Sequence, residues 1–330
     1  MSQRVLLASN TFALLVALVL LLPAMALGQP TDTKVTTTFL TPWGDPDLQG
    51  IWDTDAMRSV PLERPTEFGE RAMLTKEELS ERAATEVAKR GAPDRPKTEP
   101  VRWDEWSERP SARTSIIVAP PDGRLPSLTL GAQQRPDDPT TTLGFSGGSH
   151  GKGPFNGPED YNPIDRCITR GLPNTWFPSL YNNGFQIVQS PHYVALLYER
   201  LHEHRIIPID GPDPLDPNIR TWFGDSRGHW EGDTLVVEVT NFSDRTNYRG
   251  AGATLQMVER YTRVDADTVR VEITVDDPTT WTKPWTAVME GKRDPAYWQI
   301  FEYACHEANY GMTFMLEAAR AADTVETGAR

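Results

Sequence analysis

Cysteine is almost missing from this chain: of 330 residues only Cys167 and Cys305 carry a thiol. No C-x-x-C exists, no H-E-x-x-H, and no Ser-His-Asp order in a nucleophile-elbow context, so none of the short signatures of redox, zinc-protease or hydrolase chemistry is present. Positive charge is also scarce. Lys and Arg number 33 against 46 Asp and Glu, a formal net charge of −13, and such an acidic surface repels phosphate backbones and anionic lipid. Nucleic acid is therefore not an expected partner. Long apolar runs are confined to the N-terminus, where Arg4, the stretch Thr11 to Leu22 and Ala24-Met25-Ala26 make residues 1–28 read as a secretory signal peptide. The apolar run is too short to cross a bilayer of about 30 Å as a helix; a retained anchor is the competing reading. Removing the leader takes Arg4 with it and leaves the chain one unit more acidic. The remainder is expected to be soluble and exported, periplasmic or extracellular, with no membrane insertion after signal cleavage.

What the chain does have is β-sheet patterning. From about residue 184 to 304 it reads as strand, tight turn, strand, four times over. Gly184 to Gln189 and Tyr193 to Arg200 turn at Ser190-Pro191-His192; Trp222 to Trp230 and Thr234 to Asn241 turn at Glu231-Gly232-Asp233. The third pair turns at Asp265-Ala266-Asp267 and the fourth at Arg293-Asp294-Pro295. Gly, Pro, Asp and Asn accept turn dihedrals that β-branched residues refuse, and eight antiparallel strands suffice to close a small barrel. Val269, Val271, Ile273 and Val275 alternate with Arg270, Glu272 and Thr274, as do Leu235, Val237 and Val239 with Glu238 and Thr240. One face is thus wet, which excludes a doubly wound α/β fold. The expected fold is all-β: an antiparallel up-and-down meander over 166–330, closing with residues 43–55 into one barrel domain.

The preceding segment, 29–165, is expected to wrap that domain. It holds one helix, Leu74 to Arg90, with a capping box at Thr75 and Glu78 and an apolar stripe of Leu79, Ala83 and Val87. From Ala92 to Pro163 proline and glycine dominate and periodicity stops. Gly147-Gly148-Ser149-His150-Gly151-Lys152-Gly153 lacks the hydroxyl residue and leading strand of a phosphate-binding loop and reads as a flexible loop. In an oxidising compartment the two cysteines are expected to pair, tying the entry of the meander to its last strand; the long loop makes that bond worth about 5 kcal/mol in the chain-entropy model.

Four clusters could carry chemistry. In Tyr198 to Arg205, a continuous strand would place His202 and His204 inward with Val194, Leu196 and Tyr198, at a spacing that lets two imidazoles share a divalent metal ion; the alternative leaves both solvated at a barrel rim. Asp225, Arg227 and His229 alternate onto one face, where Asp225 could orient His229 and Arg227 could grip an anion, unless Gly228 bulges the strand. Glu259 shares an apolar face with Leu255, Met257 and Tyr261, so it is either an acid/base group or the partner of an interior arginine. Glu302 and His306 sit where the last strand should end, at a barrel mouth. Trp222, Trp230, Trp281, Trp285 and Trp298 supply aromatic walls.

Pro46 to Trp52, Tyr181 to Gln189, Gly224 to Glu238 and Tyr303-Ala304-Cys305-His306-Glu307 resemble an uncharacterised family of exported proteins from environmental bacteria. That resemblance covers most of the mature chain and transfers no catalytic residue. More distantly, the meander and Gly50-x-Trp52 are similar to lipocalin-like barrels, which implies a small aromatic or apolar ligand in the barrel. The alternatives are a lyase, isomerase or hydrolase built in the same barrel on the residues named above, and an envelope protein acting through its surface.

Overall fold

The alternating segments do form strands, and neighbouring strands pair in antiparallel register. In a computed structural model that describes residues 39–90, 107, 109–135, 155–245, 248–295, 299–307 and 309–328, all within the compact unit Thr37–Arg330, ten strands make one sheet. They are β1 (Gly50–Asp53), β2 (Ile117–Ala119), β3 (Gly184–Ser190), β4 (Tyr193–Tyr198), β5 (His204–Pro208), β6 (Asp225–Glu231), β7 (Thr234–Thr240), β8 (Gln256–Asp265), β9 (Thr268–Asp276) and β10 (Trp285–Lys292). The order is β5-β4-β3-β1-β10-β9-β8-β7-β6, with β2 added to β10. The two end strands of this path meet: Ile209 and Gly228 form a bridge, and the Asp210 N–H donates to the Gly228 carbonyl at 2.9 Å. A Cβ on Gly228 would lie 2.7 Å from Ile209 Cδ1 and 3.0 Å from Ile207 Cγ2. Only glycine lets the two strands come this close.

One face of the sheet is apolar and buried. Leu235, Val237, Val239, Met257, Tyr261, Val269, Val271, Ile273 and Val275 pack there with Phe185, Ile187, Val194 and Leu196. Trp52 packs with them, and its indole N–H donates to Leu48 O at 3.2 Å. Gly50 takes a backbone (φ 145°) strained for any other residue, and a Cβ there would displace the flexible end of Arg293, 2.7 Å away; that guanidinium lies 4.8 Å from the Trp52 ring centroid. A cation over an indole face is itself favourable. β1 pairs with β3 and β10, so the segment around Trp52 belongs to the sheet.

Several sequence expectations are corrected. The strand starting at Tyr193 stops at Tyr198, because Leu201 (φ 58°) and His202 (φ 42°) adopt left-handed backbone, and β5 resumes after this break. β6 starts at Asp225 rather than Trp222, and its register with β7 is unbroken through Gly228. Beyond Pro295 no second strand of a fourth hairpin exists among the described residues: 299–307 is irregular and turn structure. β10 instead pairs with β9.

Helices are more numerous than expected. α1 (Lys76–Arg90) has its capping box, with Glu78 N–H donating to Thr75 Oγ1 at 3.2 Å and Thr75 N–H to Glu78 Oε2 at 2.8 Å. Its inner stripe is Leu79, Arg82, Ala83 and Glu86, whereas Val87 is 62% exposed. Arg82 donates to the carbonyls of Ser111 and Arg113, so a guanidinium holds the helix where the apolar stripe is too narrow. α2 is the short Leu130–Gln133, and α3 (Tyr310–Gly328) follows the sheet. No described helix is long and apolar enough to cross a membrane. The signal peptide, the loop at 147–153, Trp298 and parts of the segment at 92–163 lie outside the described residues.

Cys167 and Cys305 form a disulfide across 138 residues. Cys305 lies in the turn at 299–307 rather than on a last strand.

Candidate functional site

The backbone break at Leu201 and His202 decides which side chains turn inward. Strand parity restarts after it, so His202 and His204 are exposed while Glu203 and Arg205 are buried. His204 pairs with Leu197 on the outer face, and His202 Nδ1 lies 3.2 Å from Tyr303 O. The inward pair of imidazoles is thus corrected to an outward one. Among the described residues no three His, Cys, Asp or Glu gather as a metal-binding group.

Arg205 enters the interior and meets Glu259. Its Nη1 donates to Glu259 Oε1 and Oε2 at 3.0 and 2.8 Å and to Tyr198 OH at 3.2 Å, and Nη2 donates to Ser226 Oγ at 2.8 Å. Trp176 Nε1–H donates to Glu259 Oε1 at 2.9 Å and Tyr261 OH to Oε2 at 2.8 Å. The two charged side chains are 1% and 0% exposed. Burial alone would pull the Arg205 guanidinium down, but Glu259 beside it, with Tyr198 and Tyr261, holds it above its usual value. Burial pushes both phenols up. Glu259 therefore has an arginine partner and all of its acceptor sites in use, which favours the structural one of its two readings. The network also bonds four strands together, β4 through Tyr198, β5 through Arg205, β6 through Ser226 and β8 through Glu259 and Tyr261, with Trp176 inserted from a one-turn helix.

Asp225, Arg227 and His229 share the outer face of β6. Cross-strand partners share a face, and the intervening Ser226, Gly228 and Trp230 oppose Val239, Val237 and Leu235. Arg227 Nη1 donates to Asp225 Oδ1 at 2.6 Å, and Asp225 Oδ2 accepts the Leu215 N–H at 2.8 Å. Arg227 Nε also reaches Pro212 O. The pair fastens the 211–216 loop to the sheet. His229 faces Glu231 at 3.3 Å, half-exposed. His306 is exposed in the C-terminal turn, as is Glu302.

A different set of side chains converges on a recess. Trp176 ends the one-turn helix Asn174–Trp176 and, with Phe177, Phe185 and Tyr198, walls a narrow recess with about 10 Å³ of enclosed space. Thr54, Arg170, Thr175, Asn182, Asn183, Gly184 and Arg200 complete the lining. Trp176 meets Phe185 and Tyr198 edge-on at 5.1 Å, so its ring is fixed on both sides. Because the same indole bonds Glu259, it separates the recess from the interior network.

The polar side of the recess is built on Glu203, buried behind it. Glu203 Oε1 accepts the Arg170 backbone N–H at 2.9 Å and the Thr169 hydroxyl, and Oε2 accepts the Thr175 hydroxyl at 2.8 Å. Burial raises this carboxyl despite those donors. Arg170 Nη1 donates to Phe177 O at 3.2 Å. Arg200 Nη1 donates to Ser179 Oγ and Tyr181 O, and the guanidinium lies 4.9 Å from the Tyr181 centroid. Tyr181 is stacked on Tyr303 at 6.3 Å.

Arg200, Glu203 and Arg205 all lie in the histidine-bearing stretch singled out from sequence. The imidazoles there drew the metal reading, and the phase shift that turns their neighbours inward has no signature in the apolar pattern. Arg170 and Trp176 lie in a segment without periodicity. A signal was nonetheless present: an arginine in Arg205-x-Ile207-x-Ile209 and a glutamate in Met257-x-Glu259-x-Tyr261 put opposite charges on two apolar faces.

The chain matches no family model and no curated protein, and the likeness to exported bacterial proteins rests on its motifs alone. Among solved structures, a mutant of the fluorescent protein UnaG is similar over 34% of this chain and 70% of its own, at 13% identity and a TM-score of 0.23. A likeness that slight carries no argument for ligand or fold.

Proposed function

We propose that the chain is an exported β-barrel protein that binds a small molecule in the recess beside Trp176. Closure of the sheet into a barrel is supported by the Ile209 and Gly228 bridge and by the Arg205 hydrogen bond to Ser226, which joins the same two end strands. Export is supported by the leader-like residues 1–28 and by a disulfide, a bond that persists in oxidising compartments.

The observation that carries the binding reading is the combination of aromatic walls and converging polar groups in one recess, the usual composition of a small-molecule site. Its enclosed space is about 10 Å³, room for about one water molecule, so what binds there is very small or sits across its mouth. The interior behind Trp176 is filled by the Arg205 and Glu259 network, which favours the recess over the sheet's interior as the binding place.

The test is native mass spectrometry of the oxidised protein together with tryptophan-fluorescence titration against a panel of small polar, anionic and apolar compounds. The expected result is a one-to-one complex and a fluorescence change. A folded protein that binds no member of the panel and retains no organic mass would refute the reading.

A second reading, a lyase, isomerase or hydrolase in the same recess, has one observation in its favour. Thr175 lines the recess and donates to Glu203, a buried carboxyl raised toward the acid/base range. Turnover abolished in Glu203→Gln, with binding intact, would support it.

A further inference from the structure

We infer that the charge-free outer face of β3, β4 and β5 is a contact surface for a second copy of this chain, joining two copies in a weak two-fold dimer. The inference is independent of the recess.

The outward positions of the sheet divide sharply. On β7 to β10 they hold Glu238, Arg260, Arg270, Glu272 and Glu290, the wet face that an antiparallel sheet turns to solvent. No outward position of β3, β4 or β5 holds Asp, Glu, Lys or Arg. Val188, Ala195 and Ile206 stand side by side across these three strands, because Ala195 pairs with both of the others. Tyr193 and Pro208 form the next row on one side, and Leu197 stands on the other. Val188 is 47% exposed, Tyr193 52% and Ile206 56%. Contiguous exposed apolar patches of this kind mark interaction sites.

Charge selects the partner. Two copies of a chain with a net charge of −13 repel one another wherever their surfaces are charged, so they approach through a face that carries none. A basic partner would be drawn to the acidic remainder of the surface instead.

Shape supplies the fit. The Ala195 side chain ends at Cβ, which leaves a depression between Val188 and Ile206. A two-fold axis parallel to the strands and between β4 and β5 seats Ile206 of each copy over Ala195 of the other, the reciprocal contact of a closed, self-complementary interface. Three strands ~4.8 Å apart, each contributing about five residues at ~3.3 Å, give a footprint of roughly 240 Å². That is below the ~800 Å² per partner of a standard interface, so the dimer forms only as concentration rises.

The test is sedimentation velocity of the mature, oxidised protein from micromolar to millimolar concentration, in low and in high salt. The expected result is an average mass that climbs toward twice the monomer, and climbs sooner in high salt, where repulsion between the acidic copies is screened. Ile206→Lys should raise the dissociation constant at least tenfold. Ala195→Ile should do the same although it adds apolar surface, because it fills the depression that Ile206 enters. Both side chains lie on the outer face, so the variants fold, and circular dichroism checks this. Phe314→Lys, which removes an exposed aromatic from α3, should leave the equilibrium unchanged.

A monomer at every concentration overturns the inference. A dimer that Ala195→Ile strengthens overturns the two-fold packing in favour of an adhesive patch without specific fit. A dimer lost in Phe314→Lys and kept in Ile206→Lys places the contact on α3 and overturns it as well.

Discussion

At the scale of single residues, the interior charge pair is the feature most exposed to test. Removing one partner of a buried pair strands the other, at a cost of about 3–5 kcal/mol. Arg205→Met is expected to destabilise by that amount in urea unfolding, and Arg205→Met with Glu259→Leu to recover much of it, because two apolar side chains leave no orphan charge. Glu203 makes a prediction about pH. Burial raises its carboxyl in the folded state, whereas in the unfolded chain it titrates near the ordinary value of about 4.3. The folded state therefore keeps the proton longer. The stability this supplies is complete below the unfolded value and is lost as pH rises through the folded one. Glu203→Gln cannot ionise, so its stability relative to the parent should improve between pH 4 and pH 8, by about 1.4 kcal/mol for each unit by which the carboxyl is raised. Parallel urea midpoints at the two pH values measure this; a difference that does not change with pH would contradict it.

Elements were legible wherever an uninterrupted alternation reports which face is dry. β7, β8 and β9 show it plainly, and so do the turns that join them. What defeats such reading is a change of phase. Between Tyr198 and His204 the chain spends a left-handed turn at Leu201 and His202, and every inward and outward assignment after it is exchanged. No residue in that turn is a glycine or proline, so nothing in the sequence marks it. The recess was illegible for a related reason: Arg170, Trp176 and Asn182 lie in loops whose placement depends on tertiary contacts. The contact between β5 and β6 offers a test at this scale. Gly228→Val would put methyl groups into Ile209 and Ile207 and is expected to cost about 1–3 kcal/mol through overpacking. Hydrogen exchange at the Asp210 amide, which bonds Gly228 O, should accelerate in the same variant. Gly311→Ala, where a Cβ would meet only Asn309 Oδ1 at 3.7 Å, should leave that amide slow and serves as the control.

For the whole molecule, the decisive constraint is the bond between Cys167 and Cys305. It closes a loop of 138 residues and is worth about 5 kcal/mol in the chain-entropy model. Reduction should lower the unfolding midpoint accordingly. The bond also has an address. Cys167 stands three residues before Arg170, and Cys305 two residues after Tyr303, whose ring stacks on the tyrosine that lies against Arg200. Opening the disulfide should loosen the segments that position both guanidinium groups at once, beside the ends of β3 and β4. A chain still holding free thiols should keep its strand pairing and lose the fixed spacing of Arg170 and Arg200.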